Sequence, residues 1–461
     1  MSEKATEEAR SYGMAAGMLT VALATAGLLT YGFFALASHS LSVDDYGLIV
    51  VMWSVVFMVV SVLFRPVEQL ASRTIAELET RGEHIGHAMR VAGSIQAGLA
   101  VLFVIVAFAL RNVIEDELLE GNEFLFYAMV AAVLAFGASF LARGFLAGER
   151  RFGLFSLLLI IDSSGRLAFS LAVAVGIAEG VDPIALGVVA GPALSLLVVP
   201  FALRQPRQPA EVRAPQEDGP DGPGMDTPTF TLANGAGFAA AVLVIMLSEQ
   251  IFLSSGALFA RAEEGAAAAG FMFNILMVAR APVVLFQAVA ASLLPHLTRL
   301  RSKGDESSDD AFRLSVRLTI LVIAGLSLLL SAVLLVAGPE LMQIAFGDKF
   351  TYDREGLVIV AIGMGFYLSA ATLNQAALAQ GQARRAAFCW IGCAAGFVIW
   401  NLAATGDVFR QVEVGFAVGA AALCALLYLL YRNPKPRLGD EVEPDSPQEL
   451  EARLAFADET A

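Results

Sequence analysis

Residues 46–67, YGLIVVMWSVVFMVVSVLFRPV, decide the fold class of this 461-residue chain. Apart from Arg65 the stretch carries no charge, and as an α-helix it would extend about 33 Å, enough to cross the hydrocarbon core of a bilayer. The composition agrees, with 57% hydrophobic residues, 16% charged residues and a mean hydropathy of +0.68. A water-soluble protein could not cover so much apolar surface, whereas lipid can. The sequence therefore predicts an all-α integral membrane protein.

Similar apolar stretches recur along the chain, and we predict twelve membrane spans. They lie near residues 14–37, 46–67, 90–110, 124–146, 153–178, 183–203, 230–255, 269–294, 313–337, 356–379, 386–405 and 411–432.

The gaps between these spans alternate in basic charge. One set of gaps, counted with the adjoining ends of the spans, holds 22 of the 30 Lys and Arg residues and the opposite set holds 5, while Arg65, Arg166 and Arg280 are counted as inside spans. Because cytoplasmic loops are rich in Lys and Arg, we expect a multi-pass protein of the inner or plasma membrane with both termini in the cytoplasm. The net charge of −14 comes largely from solvated segments and indicates no nucleic-acid partner.

A linker divides the predicted spans into two sets of six. Residues 204–229, RQPRQPAEVRAPQEDGPDGPGMDTPT, contain too many helix breakers for a span. The predicted organisation is an N-terminal six-helix lobe (1–203), the linker, a C-terminal six-helix lobe (230–432) and an acidic cytoplasmic tail (433–461). Lobes with an even number of spans run in the same direction and are parallel repeats. A weak echo, Tyr46-Gly47-Leu48 against Ala269-Gly270-Phe271, aligns Gly47 of the first lobe with Gly270 of the second.

Two segments resemble a known family. Residues 42–78, SVDDYGLIVVMWSVVFMVVSVLFRPVEQLASRTIAEL, are similar to the polysaccharide-exporter branch of the multidrug/oligosaccharidyl-lipid/polysaccharide (MOP) superfamily, in which an acidic-Tyr-Gly element opens the second span. The cytoplasmic element Ser72-Arg73-Thr74-Ile75-Ala76-Glu77 fits the same branch. Residues 140–167, FLARGFLAGERRFGLFSLLLIIDSSGRL, resemble its corner between the fourth and fifth spans.

The resemblance implies a flippase with a MATE-like fold. Such proteins move a lipid-linked, undecaprenyl-diphosphate-type oligosaccharide from the cytoplasmic to the outer leaflet by rocking two six-helix lobes around a central cavity. The expected partners are this substrate, membrane lipid, and a glycan polymerase or glycosyltransferases. No cofactor is expected.

Arg280 is the strongest candidate for contact with an anionic headgroup. It lies about 16 Å into the eighth predicted span, where an ionisable side chain indicates function, and a guanidinium can donate two hydrogen bonds to a phosphate. Gln287 follows on nearly the same face. The alternative is an arginine bonded to backbone carbonyls at a helix break near Pro282. Some relatives in the superfamily place an essential arginine on this span.

Two carboxylates are candidates for binding a coupling ion. Asp162 lies four residues before Arg166 on the fifth span, so the two share a helix face. They form either a proton or sodium site with Arg166 in the cavity, or a self-neutralising structural pair. Glu249, which we place toward the outer end of the seventh span, is either a coupling carboxylate or an interfacial residue.

Other polar residues within the spans complete the candidate cavity. Arg65, with Glu68 as its expected neighbour, either meets the headgroup on the cytoplasmic side or extends to the interface. Asn374 and Gln375 in the tenth span are candidates for hydrogen bonds to sugars.

Three other classes compete with a glycan flippase. A cation-coupled multidrug exporter of the same superfamily remains open because of Asp162 and Glu249. The loop SRTIAELETRGEHIGHAMR lacks the signature of major facilitators between the second and third spans. An enzyme is disfavoured because there is neither a P-loop motif nor a catalytic or metal-binding cluster of the 4 His residues.

Cys389, Cys393 and Cys424 are predicted to be packing residues.

Overall fold

The computed structural model describes residues 3–80, 84–204, 232–280, 306–403 and 405–433. In the N-terminal half the helices are α1 (Glu3–Ser40), α2 (Val43–Leu63), α3 (Arg65–Thr80), α4 (Gly86–Ala109), α5 (Glu123–Gly148), α6 (Phe152–Ala174), α7 (Val181–Ser195) and α8 (Val198–Arg204), with one π-helical turn at Val113–Leu118. In the C-terminal half they are α9 (Leu232–Glu264), α10 (Ala266–Ala279), α11 (Glu306–Phe346), α12 (Arg354–Ala379), α13 (Ala383–Ala403) and α14 (Val408–Arg432).

The all-α membrane fold is confirmed. Within the described ranges, 11 helices are long and apolar enough to cross a membrane. Each matches one of the predicted spans, although several extend beyond the predicted ends. The eighth predicted span, 269–294, is described only to Arg280, at the end of the shorter helix α10. The predicted linker and tail lie almost entirely outside the described residues.

Successive spans alternate in direction, with α3 continuing α2 and α8 continuing α7, and this defines two sides of the molecule. We call the side on which α1 begins and α8 and α14 end the terminal side, and the opposite side the distal side. Four helices that begin on the distal side are capped by a side chain that accepts a backbone N–H bond: Ser42 for α2, Asn122 for α5, Asp353 for α12 and Asp407 for α14. Such caps satisfy donors that a helix cannot satisfy itself, so the sequence fixes where each helix starts.

Two helices are longer than their apolar segments. α11 continues past the predicted end at 337 and bends at Ala337, because Pro339 cannot continue a regular helix. α9 continues past 255 to Glu264. The second extension corrects one prediction: Glu249 lies about 22 Å from the distal end of its helix, not toward that end.

Close helix packing places the polar residues of the N-terminal half. α3 packs along α5, and Gly144 and Gly148 on α5 face it, since a Cβ on Gly144 would come within 2.7 Å of the Glu68 carbonyl oxygen. Small residues four apart allow this approach in a membrane bundle. The start of α3, with Arg65 and Glu68, therefore lies beside the part of α5 that contains Arg143.

Candidate functional site

The hairpin of α9 and α10 brings Glu249 and Arg280 to the same depth. The two helices are antiparallel neighbours joined at Gly265, which has a φ of +93°. Glu249 lies before the end of α9, and Arg280 lies after the start of α10, by nearly the same length of helix. Each is therefore about 22 Å from the distal end of the hairpin, near the middle of a bilayer.

Arg280 occupies the C-cap of α10. Its N–H donates to the carbonyls of Leu276 and Met277, at 3.0 and 3.1 Å. Its Nε and Nη2 atoms are enclosed, and the described residues offer them no hydrogen-bond acceptor. Helix α10 ends at Arg280 and Pro282 lies outside the described residues, and no described backbone carbonyl binds these two atoms.

Two tyrosines from different halves flank Arg280. Tyr31 on α1 donates a hydrogen bond of 2.5 Å to the Met277 carbonyl, and it interacts electrostatically with Arg280. Tyr367 on α12 is 5% exposed and interacts with Arg280, Glu249 and Arg65. Nothing in the sequence marked either tyrosine, because each gains its role from a contact between distant helices.

Arg65 joins this group from the N-terminal half. It begins α3 and is exposed, and it interacts electrostatically with Glu249 on α9 and with Glu68 on its own helix. Tyr31, Arg65, Glu249, Arg280 and Tyr367 therefore form one set of polar residues shared by the two halves, which we call the central group.

A second set of charges lies entirely within the N-terminal half. Asp162 is 3% exposed and pairs with Arg143 at 2.9 Å and with Arg166 at 3.2 Å. Arg166 also donates to Ser163 and lies over the Trp53 ring, 5.1 Å from its centroid. We call Arg143, Asp162 and Arg166 the α5–α6 triad.

Tight packing fixes the α5–α6 triad. A Cβ on Gly191 of α7 would come within 2.7 Å of Arg166 Cγ and 2.9 Å of Asp162 Oδ1, so only glycine fits there. The charge count of the sequence grouped Arg143, near the end of the predicted span 124–146, with the neighbouring basic gap. It lies inside α5 instead, and moving one residue leaves the bias between gaps intact. Glu68 interacts with both Arg143 and Arg65 and so links the triad to the central group.

The remaining candidates lie elsewhere. Asn374 is 3% exposed, and its Oδ1 accepts a hydrogen bond of 3.1 Å from the Trp390 indole within the C-terminal half. Gln375 beside it is half-buried. Gln287 lies outside the described residues.

A buried carboxylate near the distal surface of the C-terminal half was not singled out by the sequence. Glu413 has no exposed area, and it pairs with Arg410 at 3.3 Å and interacts with Tyr352. Burial, and after it the interaction with the Glu413 carboxylate, raises the pKa of Tyr352, so its hydroxyl stays protonated. All three residues belong to the C-terminal half, and none is a member of the central group.

The two polar sets and their link contain one more arginine than carboxylate. Arg65, Arg143, Arg166 and Arg280 face three carboxylates, those of Glu68, Asp162 and Glu249. Both arginines of the α5–α6 triad form a direct ion pair with Asp162, whereas Arg280 has no ion pair among the described residues. In a medium of low dielectric constant, an enclosed guanidinium without a partner is a strong attractor for an anionic group.

Comparison with solved structures shows the fold. An inward-facing multidrug resistance MATE family transporter of the MOP superfamily is similar with a TM-score of 0.63, 13% identity and coverage of 89% of this chain and 94% of that chain. The eukaryotic MATE transporter AtDTX14 gives 0.60, with 14% identity and 98% of both chains covered. An outward-facing MATE family transporter gives 0.59, with 15% identity and coverage of 91% and 94%.

These likenesses define a class: an all-α membrane protein with the fold of the MATE transporters of the MOP superfamily. The MATE-like fold predicted from the sequence is thereby confirmed. No model of a protein family matches the sequence, and no curated protein matches it.

Proposed function

We propose that this chain is a flippase that moves a lipid-linked, undecaprenyl-diphosphate-type oligosaccharide from the cytoplasmic to the outer leaflet during the synthesis of a surface polysaccharide. The observation that carries the proposal is Arg280, with an enclosed Nε and Nη2 that have no acceptor among the described residues, near the bilayer midplane. A diphosphate supplies the paired acceptor oxygens that such a guanidinium fits.

The membership of the central group supports transport by alternating access. Tyr31 and Arg65 come from the N-terminal half, whereas Glu249, Arg280 and Tyr367 come from the C-terminal half. A ligand bound by residues of both halves is handed from one side to the other when the halves tilt around it. The terminal side would then face the cytoplasm, as the basic gaps predict.

Within this proposal each candidate has a task. Arg280 and Arg65 bind the diphosphate, with Gln287 nearby. Glu249 binds the coupling ion, because it is the carboxylate of the central group and interacts with Arg65. Arg166 holds Asp162 in place, and Asn374 and Gln375 remain candidates for contact with the glycan. Glycan polymerases or glycosyltransferases would supply or consume the substrate.

A cation-coupled multidrug exporter is the second candidate. Two of the similar solved structures are of multidrug resistance transporters, and Glu249 could bind a cationic drug. The surplus of arginines around the central group favours an anionic substrate instead, since like charges in a low-dielectric site repel a cation.

Deletion of the gene distinguishes the two functions. Mass spectrometry of the lipid-linked oligosaccharides should reveal a diphosphate-linked glycan that accumulates on the cytoplasmic side, together with loss of a surface polymer. An unchanged lipid pool with greater sensitivity to cationic toxins would support the exporter.

A further inference from the structure

The distal ends of α2 and α10 meet through a buried polar contact between the halves. The Tyr46 hydroxyl donates a hydrogen bond of 2.5 Å to Asn274 Oδ1, and both side chains have no exposed area. The Tyr46 ring also packs against Phe350, with ring centroids 5.0 Å apart. The central group does not include this contact, which lies closer to the distal side.

Two glycines allow the backbones to cross at the same place. A Cβ on Gly47 would overlap the Ala266 carbonyl oxygen, and a Cβ on Gly270 would lie 3.0 Å from Tyr46 Cδ1 and 3.5 Å from Gly47 Cα. Gly47 and Gly270 are also the two positions that the sequence echo aligns between the predicted repeats. Equivalent positions in two related units touch each other near the axis that relates the units. The crossing of α2 and α10 therefore lies near this axis. Movement of one half relative to the other must change the contact between Gly47 and Gly270.

Further contacts between the halves surround the crossing on the distal side. Arg261 at the end of α9 donates to the carbonyls of Glu117 and Leu118, at 2.9 and 3.1 Å, and pairs with Glu120 at 3.1 Å. Lys349 Nζ donates to the Leu41 carbonyl at 3.0 Å. Both cations hold a distal loop or helix end of the other half.

The contact between Tyr46 and Asn274 is only half satisfied. Asn274 Nδ2 is buried, and no described residue accepts a hydrogen bond from it. The bond to Tyr46 favours the closed arrangement, whereas the unsatisfied amide favours an open arrangement in which water reaches it. Because these two contributions oppose each other, the closed and open states remain close in free energy, as a protein that alternates between them requires.

We propose that Tyr46, Gly47, Gly270 and Asn274 form a distal gate that holds the two halves together on the distal side, and that the Tyr46–Asn274 bond sets the ratio of closed to open molecules. The inference rests on the proposed movement of the halves, but not on the identity of the substrate. Release of the transported substrate on the distal side requires this gate to open.

Distances between spin labels test the gate in the full-length protein reconstituted into liposomes. The labels are attached at Asp182→Cys on α7 and Thr405→Cys before α14, which are exposed distal positions in different halves, after the three native cysteines are replaced by alanine. Double electron–electron resonance then reports the closed and open populations without any substrate. The result of this measurement therefore does not depend on whether the protein flips a glycan.

Tyr46→Phe should raise the open-to-closed ratio about tenfold, because both polar groups of Asn274 are then buried without a partner. Tyr46→Phe/Asn274→Leu should restore the closed population, since an apolar pair no longer favours hydration. Gly47→Ala should also open the distal side, because the added methyl group meets Ala266. Tyr127→Phe removes a distal hydroxyl that contacts Arg111 within one half, at 3.3 Å, and should leave the distances unchanged.

Two results would overturn the proposal. One is an unchanged distance distribution in both Tyr46→Phe and Gly47→Ala. The other is a double variant that is as open as Tyr46→Phe alone, because the polar pair would then have no specific part in closure.

Discussion

The α5–α6 triad and the central group both place arginines and carboxylates inside a membrane bundle, but they differ in how the charges are neutralised. Asp162 pairs directly with Arg143 and Arg166, and all three residues lie in one half. In the central group, no described residue accepts a hydrogen bond from Nε or Nη2 of Arg280, and the members come from both halves. A charge that is satisfied within one rigid unit holds that unit together. Arg280 has no such ion pair among the described residues, which is the basis of the proposal that it binds a ligand.

The largest expected effect is on transport in Arg280→Ala. Loss of the guanidinium removes charge-assisted hydrogen bonds to the diphosphate, so flipping should fall at least about hundredfold at normal membrane abundance. Complementation of the deletion strain measures this. Arg280→Lys keeps the charge but not the two-pronged geometry and should recover only part of the activity. Normal glycan export in Arg280→Ala would contradict the assignment of Arg280 as a residue that binds the diphosphate.

The next effect is on stability, in Asp162→Ala. Removing this carboxylate leaves two buried guanidinium groups without their counter-ion, which should lower the free energy of unfolding by about 3–5 kcal/mol. Thermal unfolding of the purified protein in detergent gives the shift. If the variant were as stable as the wild type but had lost its dependence on an ion gradient, Asp162 would be the coupling residue that the sequence left open.

Glu249→Gln should have a more selective consequence. The amide keeps the shape of the side chain but cannot exchange a proton or balance a cation, so we expect gradient-driven flipping to fall about tenfold. Binding of the lipid-linked substrate should persist, since Arg280 and Arg65 remain. Transport by proteoliposomes with and without a proton or sodium gradient measures the difference. Equal loss with and without a gradient would contradict a coupling role.

The smallest effect is expected in Arg73→Ala. Arg73 lies on α3, about two helical turns beyond Arg65, and forms a surface pair with Glu77 in which 62% of its side chain is exposed. Exposed pairs contribute less than about 1 kcal/mol, so stability and transport should change little. The variant is a matched control for Arg280→Ala, and a strong transport defect would place α3 closer to the substrate path than the central group indicates.

The sequence predicted those features that depend on local composition. The apolar stretches gave the spans, and the spacing of Asp162 and Arg166 gave their contact, which the structure places at 3.2 Å. The echo between the lobes aligned Gly47 with Gly270, although only the structure shows that they meet. The predicted depth of Glu249 was wrong because α9 continues beyond its apolar segment. This extension also places Arg261 against the distal loop.

The contacts that complete the candidate site could not be read from the sequence. Arg143 looked like a loop residue because it stands near a basic turn, yet α6 supplies a buried carboxylate beside it. Tyr31, Tyr367 and the Tyr46–Asn274 pair depend on which helices cross, and a single sequence carries no signal for such crossings. Helix crossings result from packing of the whole bundle, whereas spans result from twenty or so neighbouring residues.

The most direct test of the account is a flipping assay in proteoliposomes that contain the purified protein and a fluorescent undecaprenyl-diphosphate oligosaccharide, with a cationic dye as the competing cargo. The account predicts that the wild-type protein moves the glycolipid between leaflets, that Arg280→Ala does not, and that neither moves the dye. Transport of the dye by the wild-type protein, with the glycolipid left in its original leaflet, would contradict the account and identify a drug exporter.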